Sequence, residues 1–447
     1  MNSDQHFFSL INFRYSIFII TPIFFILLAV ENVDAIVARF LVQFNTSIAG
    51  MSLFIAISIG CILGQTFLLR FMNSSSYEIK ARSNLVSGLH RAVSIVQWVL
   101  VGNVILVIIQ MLLLTSYSIL SLVLVAYVSN FFAAGLLVIF AIRFLSWYQN
   151  KKHSLGILLY ASAFLILATS EIIAGIGSAY LLSQKDEVIT PTSKVQFANF
   201  PEGSFLNIFF SYYQYVDYSS FLLTLLASAL LLYHYSQKTK TPKMIMIIAL
   251  PILGYTGTIL DALNIYDTDT NLNLFYYYIF QSLASISGGV LFAFSFWFIS
   301  KRLPTSPIKT FLKITALGFI LLYLSNHIDV NSATYPPYGI NSLSLLPLSS
   351  YFVLFGLYSS ALSLSQDISL RQNLRSIARH DDNLLSSIGT AQMENEVKRA
   401  VGELKEVADE QEKELAEKSG IETPVPESEI EDYLKQVIEE VSRSKKK

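Results

Sequence analysis

Residues 380–383, with the sequence His-Asp-Asp-Asn, place a ring nitrogen, two carboxylates and an amide side by side just after the last long apolar run. A histidine ring nitrogen can act as a nucleophile toward a phosphoryl group, and a carboxylate can orient the ring. His380 is therefore a candidate phosphoacceptor. The alternative is a solvated histidine at the start of a linker, and the rest of the chain has to distinguish the two.

Ionisable and amide side chains within or beside the apolar runs form a second group of candidates, because an ionisable group in lipid is costly and usually functional. Glu171 and Asp261 each fall inside an apolar run, and a rise of about 1.5 Å per residue puts both in the outer part of the bilayer. Gln281, His327 and Asp329 are expected at a similar depth. Together they predict an outward-facing polar cavity that binds a ligand, and the alternative for Glu171 is a hydrogen-bonded packing residue.

A metal site is the third chemistry considered, with His327, Asp329 and one more carboxylate as ligands. A single histidine without a second one at ligand spacing is a weak signature for it. The only cysteine, Cys61, lies in an apolar run, so no disulfide forms within the chain. We expect no metal, no cofactor and no nucleic-acid partner, and in the absence of a nucleophile or phosphate-binding loop we expect no enzymatic activity.

Long apolar runs must position these residues, since 53% of the chain is hydrophobic and only 14% is charged. A hydrocarbon core about 30 Å thick requires a helix of roughly 20 apolar residues. We predict an all-α fold, a polytopic bundle of about ten transmembrane helices in the lipid bilayer. The expected spans are residues 15–30, 48–69, 95–116, 119–142, 154–183, 217–235, 243–263, 275–299, 309–326 and 343–365. The first could instead be a cleaved signal peptide, because Arg14 precedes it and Val33-Asp34-Ala35 resembles a cleavage site.

Lysine and arginine are concentrated in alternate connections between the spans, which orients the bundle because short loops rich in these residues stay in the cytoplasm. The basic connections are residues 70–91, 143–152, 238–243 and 301–313. Both termini are therefore predicted to be cytoplasmic, in a multi-pass protein of the cell membrane. The external connection at residues 184–216, which ends in FLNIFFSYYQYV, is expected to lie on the membrane surface or to form a lid.

A change from apolar to charged composition after Ser365 divides the chain into three parts. Residues 1–365 are the transmembrane bundle. Residues 366–419 are a cytoplasmic linker and a signalling-type helix with coiled-coil spacing. Residues 420–447 are a proline-containing linker and a short amphipathic helix.

Apolar stripes on these two helices predict a binding surface for a cytoplasmic protein partner or for a second copy of the chain in a homodimer. The residues of the stripes are Met393, Val397, Leu404, Ile430, Leu434, Val437 and Val441.

The run HDDNLLSSIG resembles the phosphoacceptor helix of sensor histidine kinases, which reads His-Asp-Phe-Asn-Asn-Leu-Leu followed by an isoleucine and a glycine. The matching residues are His380, Asp381, Asn383, Leu384, Leu385, Ile388 and Gly389. This chain has one residue fewer before the leucine pair, and the loss rotates the leucines and all later residues by about 100° on a helix. The resemblance implies a membrane input region joined to a signalling helix. An ATP-binding domain is not expected, because only 58 residues follow Gly389, so a separate kinase would have to phosphorylate His380.

The chain also resembles uncharacterised multispanning membrane proteins of ammonia-oxidising archaea that end in a similar SIGTAQME sequence, and this adds no activity. The interpretation that joins these observations is an integral membrane sensor or receptor-like protein, which couples an outward-facing cavity to a tail that binds a partner. The alternatives are an assembly or scaffold subunit of a membrane complex and a secondary transporter.

Overall fold

The computed structural model of the protein describes residues 21–33, 42–75, 84–150, 154–193, 203–235, 251–252, 271–303, 307–325, 333–367, 370–372, 374, 384–399 and 402. Helices dominate this part of the chain. They are α1 (Thr21–Val33), α2 (Val42–Asn45), α3 (Ile48–Ser75), α4 (Asn84–Leu114), α5 (Ile119–Asn150), α6 (Leu155–Ser183), α7 (Phe205–Tyr235), α8 (Asn271–Arg302), α9 (Pro307–Ser325), α10 (Ile340–Gln366) and α11 (residues 384–399).

Seven helices in the described ranges are long and apolar enough to cross a membrane, and these are α3, α4, α5, α6, α7, α9 and α10. Their side chains are apolar around most of the circumference, which is typical of helices that face lipid on one side and protein on the other. The expected multi-pass helical architecture is therefore supported. The count of ten stays a prediction, since most of the seventh expected span, 243–263, lies outside the described residues.

Helix α10 is the centre of the bundle. The whole of its most apolar stretch is buried by other parts of the protein, and it packs mainly against α9, α5 and α4. Glycines permit its closest approach to α9: a Cβ added at Gly318 would lie 2.6 Å from the backbone nitrogen of Val353, and one added at Gly356 would lie 2.7 Å from the carbonyl oxygen of Phe311. Two helix backbones can approach this closely only where one residue has no side chain.

A two-stranded antiparallel ribbon closes one end of the bundle, called here the ribbon end. Strand β1 (Tyr117–Ser118) follows α4 and pairs with β2 (Val188–Ile189), which follows α6. The Tyr117 hydroxyl donates a 2.6 Å hydrogen bond to the carbonyl oxygen of Thr334, and the Tyr117 ring stacks on Tyr335. Burial, and to a smaller extent Tyr335, raises the pKa of the Tyr117 phenol well above its usual range, so the hydroxyl keeps the proton that it donates.

Helix α7 corrects the expectation for the aromatic sequence before the sixth span. Residues 205–216 are not a membrane-lying loop or a lid, because they form the first three turns of one continuous helix that runs to Tyr235. The Ser204 hydroxyl accepts a hydrogen bond of 3.3 Å from the backbone N–H of Asn207, which caps the start of the helix. No proline or glycine interrupts the sequence from Phe205 to Tyr235, so the helix continues from the aromatic part into the aliphatic part.

Candidate functional site

A carboxylate without a partner lies inside the bundle, on the sixth helix. Helix α6 buries Glu171 completely, and neither of its carboxylate oxygens has a hydrogen-bond partner among the described residues. Withdrawing a carboxyl group from water without a compensating hydrogen bond costs several kcal/mol. The sequence-based prediction singled out Glu171, and the structure shows that it is enclosed rather than open to an external cavity.

A second carboxylate faces the same region from α7. Asp217 is 6% exposed, and the Ser170 hydroxyl, next to Glu171 in the chain, lies 3.5 Å from its Oδ1 atom. Glu171 and Asp217 also interact with each other electrostatically. Two carboxylates held together away from water repel each other when both are ionised, so this carboxylate pair has an affinity for a proton or a small cation.

Hydroxyl groups continue along α7 from the carboxylate pair. Ser220, Thr224 and Ser228 are all buried and follow Asp217 at intervals of three or four residues, which puts them on one face of the helix. The Ser228 and Tyr160 hydroxyls lie 3.3 Å apart, so the row ends at a side chain of α6. From Asp217 to Ser228 the row covers about 16 Å along the helix axis.

The same two helices meet the C-terminal part of the chain at the opposite end of the bundle, called here the tail end. A Cβ added at Gly156 of α6 would lie 3.6 Å from Cδ1 of Leu384 in α11 and 3.9 Å from Cδ2 of Leu230 in α7. Helices α6 and α7 therefore hold the carboxylate pair at one level and converge on the first residue of α11 about 20 Å away.

Helix α11 is docked on the tail end through an apolar face. Leu384, Leu385, Ile388 and Ala391 are each at most 3% exposed. A Cβ added at Gly389 would lie only 2.5 Å from Cβ of Leu364 in α10, so α11 rests directly on the central helix. An exposed helix of this length is marginally stable in water, and this packing stabilises it.

Polar contacts fix the position of α11 along the bundle. Trp147 Nε1 donates a 2.9 Å hydrogen bond to Gln392 Oε1, and Asn150 Nδ2 donates one of 2.7 Å to Asn395 Oδ1. On the other side of the helix, the Ser365 hydroxyl lies 3.1 Å from Glu396 Oε1. Both α5 and α10 therefore contribute to the seat of α11.

The docked face includes residues that matched the kinase phosphoacceptor helix. Leu384, Leu385, Ile388 and Gly389 are placed against the bundle, so packing explains why these residue types recur at helical spacing. His380 and Asp381 lie outside the described residues, and phosphorylation at His380 stays a prediction.

The apolar stripes that were expected to bind a partner have only two members among the described residues. Met393 and Val397 are half-buried, and Met393 contacts the Arg371 guanidinium through its sulfur atom. The other members, Leu404, Ile430, Leu434, Val437 and Val441, lie outside the described residues. Partner binding by these stripes stays a prediction.

A second buried carboxylate, which the sequence did not predict as a site, caps the central helix. Glu31 is fully buried at the end of α1. Its Oε1 accepts hydrogen bonds from the backbone N–H groups of Gly339 and Asn341, and its Oε2 accepts from the backbone N–H and the hydroxyl of Ser342, over 2.8–3.1 Å. The first N–H groups of a helix have no partner within it, and a carboxylate there also complements the helix dipole. Glu31 therefore ties the start of α10 to α1.

A buried amide network continues from this cap. Gln65 Nε2 donates to the Ser344 hydroxyl at 2.9 Å, and Gln97 Nε2 donates to Gln65 Oε1 at 2.9 Å and to the Ser344 carbonyl oxygen at 3.0 Å. The network joins α3, α4 and α10. We regard it as the structural support of the central helix, because its groups pair mainly with one another.

The remaining predicted site residues are not brought together with Glu171 in the described part of the chain. Asp261, His327 and Asp329 lie outside the described residues, and Gln281 is on α8 at a position outside those whose side chains the structure describes. The described residues contain no group of three or more histidine, cysteine, aspartate or glutamate side chains that could hold a metal ion.

Sequence reasoning missed Asp217 because that residue was placed at the very start of a span. The available signal was its spacing from Ser220 and Thr224 within one helical face. Comparison of the chain with protein-family models, with curated proteins and with solved structures found no match.

Proposed function

We propose that this protein is an integral membrane sensor in which a proton or small cation at the Glu171–Asp217 pair controls the docking of α11. The observation that carries the proposal is that α6 and α7 hold the two carboxylates and also converge on Leu384 of α11. A change in the separation of these two helices therefore reaches the tail directly. The proposal includes ten spans with both termini in the cytoplasm, as the distribution of lysine and arginine favours.

Electrostatic repulsion supplies the energy for the change. Two unit charges about 6 Å apart repel by roughly 3 kcal/mol at an effective dielectric constant of about 20. A proton or cation on the pair removes that repulsion and lets α6 and α7 pack together. A difference of this size shifts a two-state equilibrium by about two orders of magnitude, which is enough to dock or release a short helix.

Release of α11 is the output of this mechanism. Its apolar face, which includes Leu384, Leu385 and Ile388, is covered in the docked state and becomes accessible on release. An apolar helix face of this kind is suited to a groove on a cytoplasmic partner. We therefore propose that the partner binds the released state, together with the stripe that contains Met393 and Val397.

A secondary transporter is the second candidate, because the row of Ser220, Thr224 and Ser228 leads from the carboxylate pair toward the tail end. Hydroxyl groups in a row can relay a proton or coordinate a small cation. In this alternative the protein moves the ion across the membrane, and α11 is a fixed plug. Ion flux into sealed vesicles containing the protein distinguishes it from a sensor, which produces none.

The test of the sensor is the accessibility of α11 as a function of pH. Ser387 is fully buried in α11, and Ser387→Cys introduces a reporter thiol of nearly the same size. Its labelling by a maleimide in native membranes is normalised to the denatured protein at the same pH, which removes the pH dependence of the reagent. The native thiol, Cys61, is buried inside the bundle and reports global unfolding.

We expect labelling of the reporter to increase as the pH rises, because ionisation of both carboxylates separates α6 and α7. The double variant Glu171→Gln, Asp217→Asn should keep α11 docked at every pH. Glu187→Gln, which removes an exposed carboxylate outside the pair, is the matched control and should behave like the parent. Labelling that is low and independent of pH in all variants would contradict the sensor and leave α11 as part of a static scaffold.

A further inference from the structure

A basic groove lies between α3 and α4, away from the carboxylate pair and on the side of the bundle opposite the ribbon end. Its volume is about 470 Å³. Its charged and polar lining includes Arg70, Asn73, His90, Arg91 and Ser94, and Trp98 lies at its deeper edge. The lining residues include no aspartate or glutamate, so the groove carries positive charge without an internal counterion.

Helical spacing explains why these side chains face one another. Arg70 and Asn73 are three residues apart on α3, and Arg91, Ser94 and Trp98 are three and four residues apart on α4. Residues at these intervals lie on one face of a helix. Two polar faces therefore meet across the groove.

The walls of the groove are held in place by buried hydrogen bonds. Gln97 and Gln65 are joined at 2.9 Å, and they lie close to the groove residues in α4 and α3. His90 Nδ1 lies 3.3 Å from the hydroxyl of Tyr351, which ties the wall formed by α4 to the central helix. The two arginines are thus presented by helices of fixed separation, as in a preformed site.

The chemistry of the groove fits a phosphate group. A guanidinium binds phosphate oxygens through two parallel N–H groups, and two guanidinium groups in one groove can share a single phosphodiester. The Ser94 and Ser87 hydroxyls add donors of the kind that bind phosphate oxygens. A carboxylate ligand would use the same donors, but the surroundings of the groove favour a lipid.

Exposed apolar side chains surround the deeper edge of the groove. Leu63 is 65% exposed, Ile95 59%, Trp98 55% and Val99 51%. In a multi-pass protein such residues face the hydrocarbon of the bilayer, and tryptophan is enriched at the level of the headgroups. A ligand with a phosphate at one end and acyl chains at the other would satisfy both parts of this surface.

We propose that the groove between α3 and α4 binds the headgroup of an anionic phospholipid, with its phosphate between Arg70 and Arg91 and its chains along Ile95 and Val99. Basic pockets between membrane helices on the cytoplasmic side are suited to such headgroups. The site ties the α3–α4 pair to the composition of the surrounding leaflet. It does not depend on the carboxylate pair or on the docking of α11.

The test uses the full-length protein in nanodiscs of phosphatidylcholine that contain a small fraction of phosphatidylglycerol. Native mass spectrometry counts the lipids that stay bound after the nanodisc is removed. We expect one phosphatidylglycerol to be retained in preference to phosphatidylcholine. The variant Arg70→Gln, Arg91→Gln should bind it about tenfold more weakly for each arginine removed, and the pair of lysine variants at the same positions should lose less, because they keep the charge and lose only the bidentate geometry.

Lys309→Gln is the matched control, since it removes a positive charge at the same end of the bundle but outside the groove. It should retain the lipid as the parent does. Equal retention of phosphatidylglycerol by the double glutamine variant and the parent, with both folded as judged by burial of Cys61, would overturn the proposal. Complete displacement of the lipid by millimolar inorganic phosphate would also overturn it, and would assign the groove to a soluble phosphate compound instead.

Discussion

Gly389→Ala is the substitution that tests most directly whether α11 is docked on the bundle. A Cβ at this position would lie 2.5 Å from Cβ of Leu364, a backbone-anchored atom that no side-chain rotation can move away. Carbon atoms in contact prefer a separation of 3.5–4.0 Å. The added methyl group therefore has to push α11 away from α10 by about 1 Å.

Two opposing effects set the magnitude. Overpacking of a close contact costs typically 1–3 kcal/mol, and the displacement required here puts the expected cost near the upper end of that range. Alanine is also a better helix former than glycine by roughly 1 kcal/mol, which offsets part of the cost in the docked helix. The expected net loss is about 2 kcal/mol of docking free energy, or a factor of about 30 in the ratio of docked to released states.

Amide hydrogen exchange of residues 384–399, measured by mass spectrometry in detergent or nanodiscs, follows this equilibrium because exchange of a docked helix requires release or local opening. We expect the exchange of this segment in Gly389→Ala to be about 30-fold faster than in the parent. Exchange in α5 should not change. This pattern would separate loss of docking from general destabilisation.

Gly402→Ala is the matched control, because a Cβ added there meets no atom within 4 Å. It makes the same chemical change in the same part of the chain without the steric conflict. Its exchange should equal that of the parent or be slightly slower. Identical exchange of residues 384–399 in Gly389→Ala and the parent would refute the docked position of α11, and with it the coupling on which the proposed sensor depends.

Two further substitutions test the packing of the central helix. Glu31→Ala leaves the N–H groups at the start of α10 without their acceptor, and we expect the free energy of unfolding in mixed micelles to fall by about 3 kcal/mol or more; a fall of less than about 1 kcal/mol would show that water replaces the cap. Gly318→Ala forces a methyl group to within 2.6 Å of the Val353 nitrogen and should destabilise the protein by roughly 1–3 kcal/mol. Gly102→Ala in α4, where an added Cβ meets nothing within 4 Å, should be neutral, and equal effects of the two glycine variants would contradict the close approach of α9 and α10.

The helices could be predicted from the sequence because their signal is local. A run of about 20 apolar residues is long enough to cross a bilayer whatever its neighbours do. The start of α7 was predicted wrongly for the same reason. The aromatic residues before Asp217 have the composition of an interface segment, but composition alone does not show that the helix continues through them.

The candidate site was predictable only where one residue was conspicuous by itself. Glu171 stands in an apolar run, and the cost of burying it marks it as unusual. Asp217 gains its meaning from a partner on another helix. The cap formed by Glu31 joins residues about 310 positions apart, and no periodicity in the chain indicates a contact of that separation.

The buried position of α10 has a consequence for biogenesis. Ribosomal synthesis delivers this helix to the membrane after α3–α9, yet it occupies the middle of the finished bundle. The earlier helices must therefore remain loosely associated, or leave an open slot, until the last of these spans is inserted. Nascent chains that stop before Ile340 would expose the inner surfaces of their helices to lipid and to the proteases that survey the membrane. Completion of the fold is thus delayed until translation has passed α10, so the protein matures after synthesis of that helix rather than span by span.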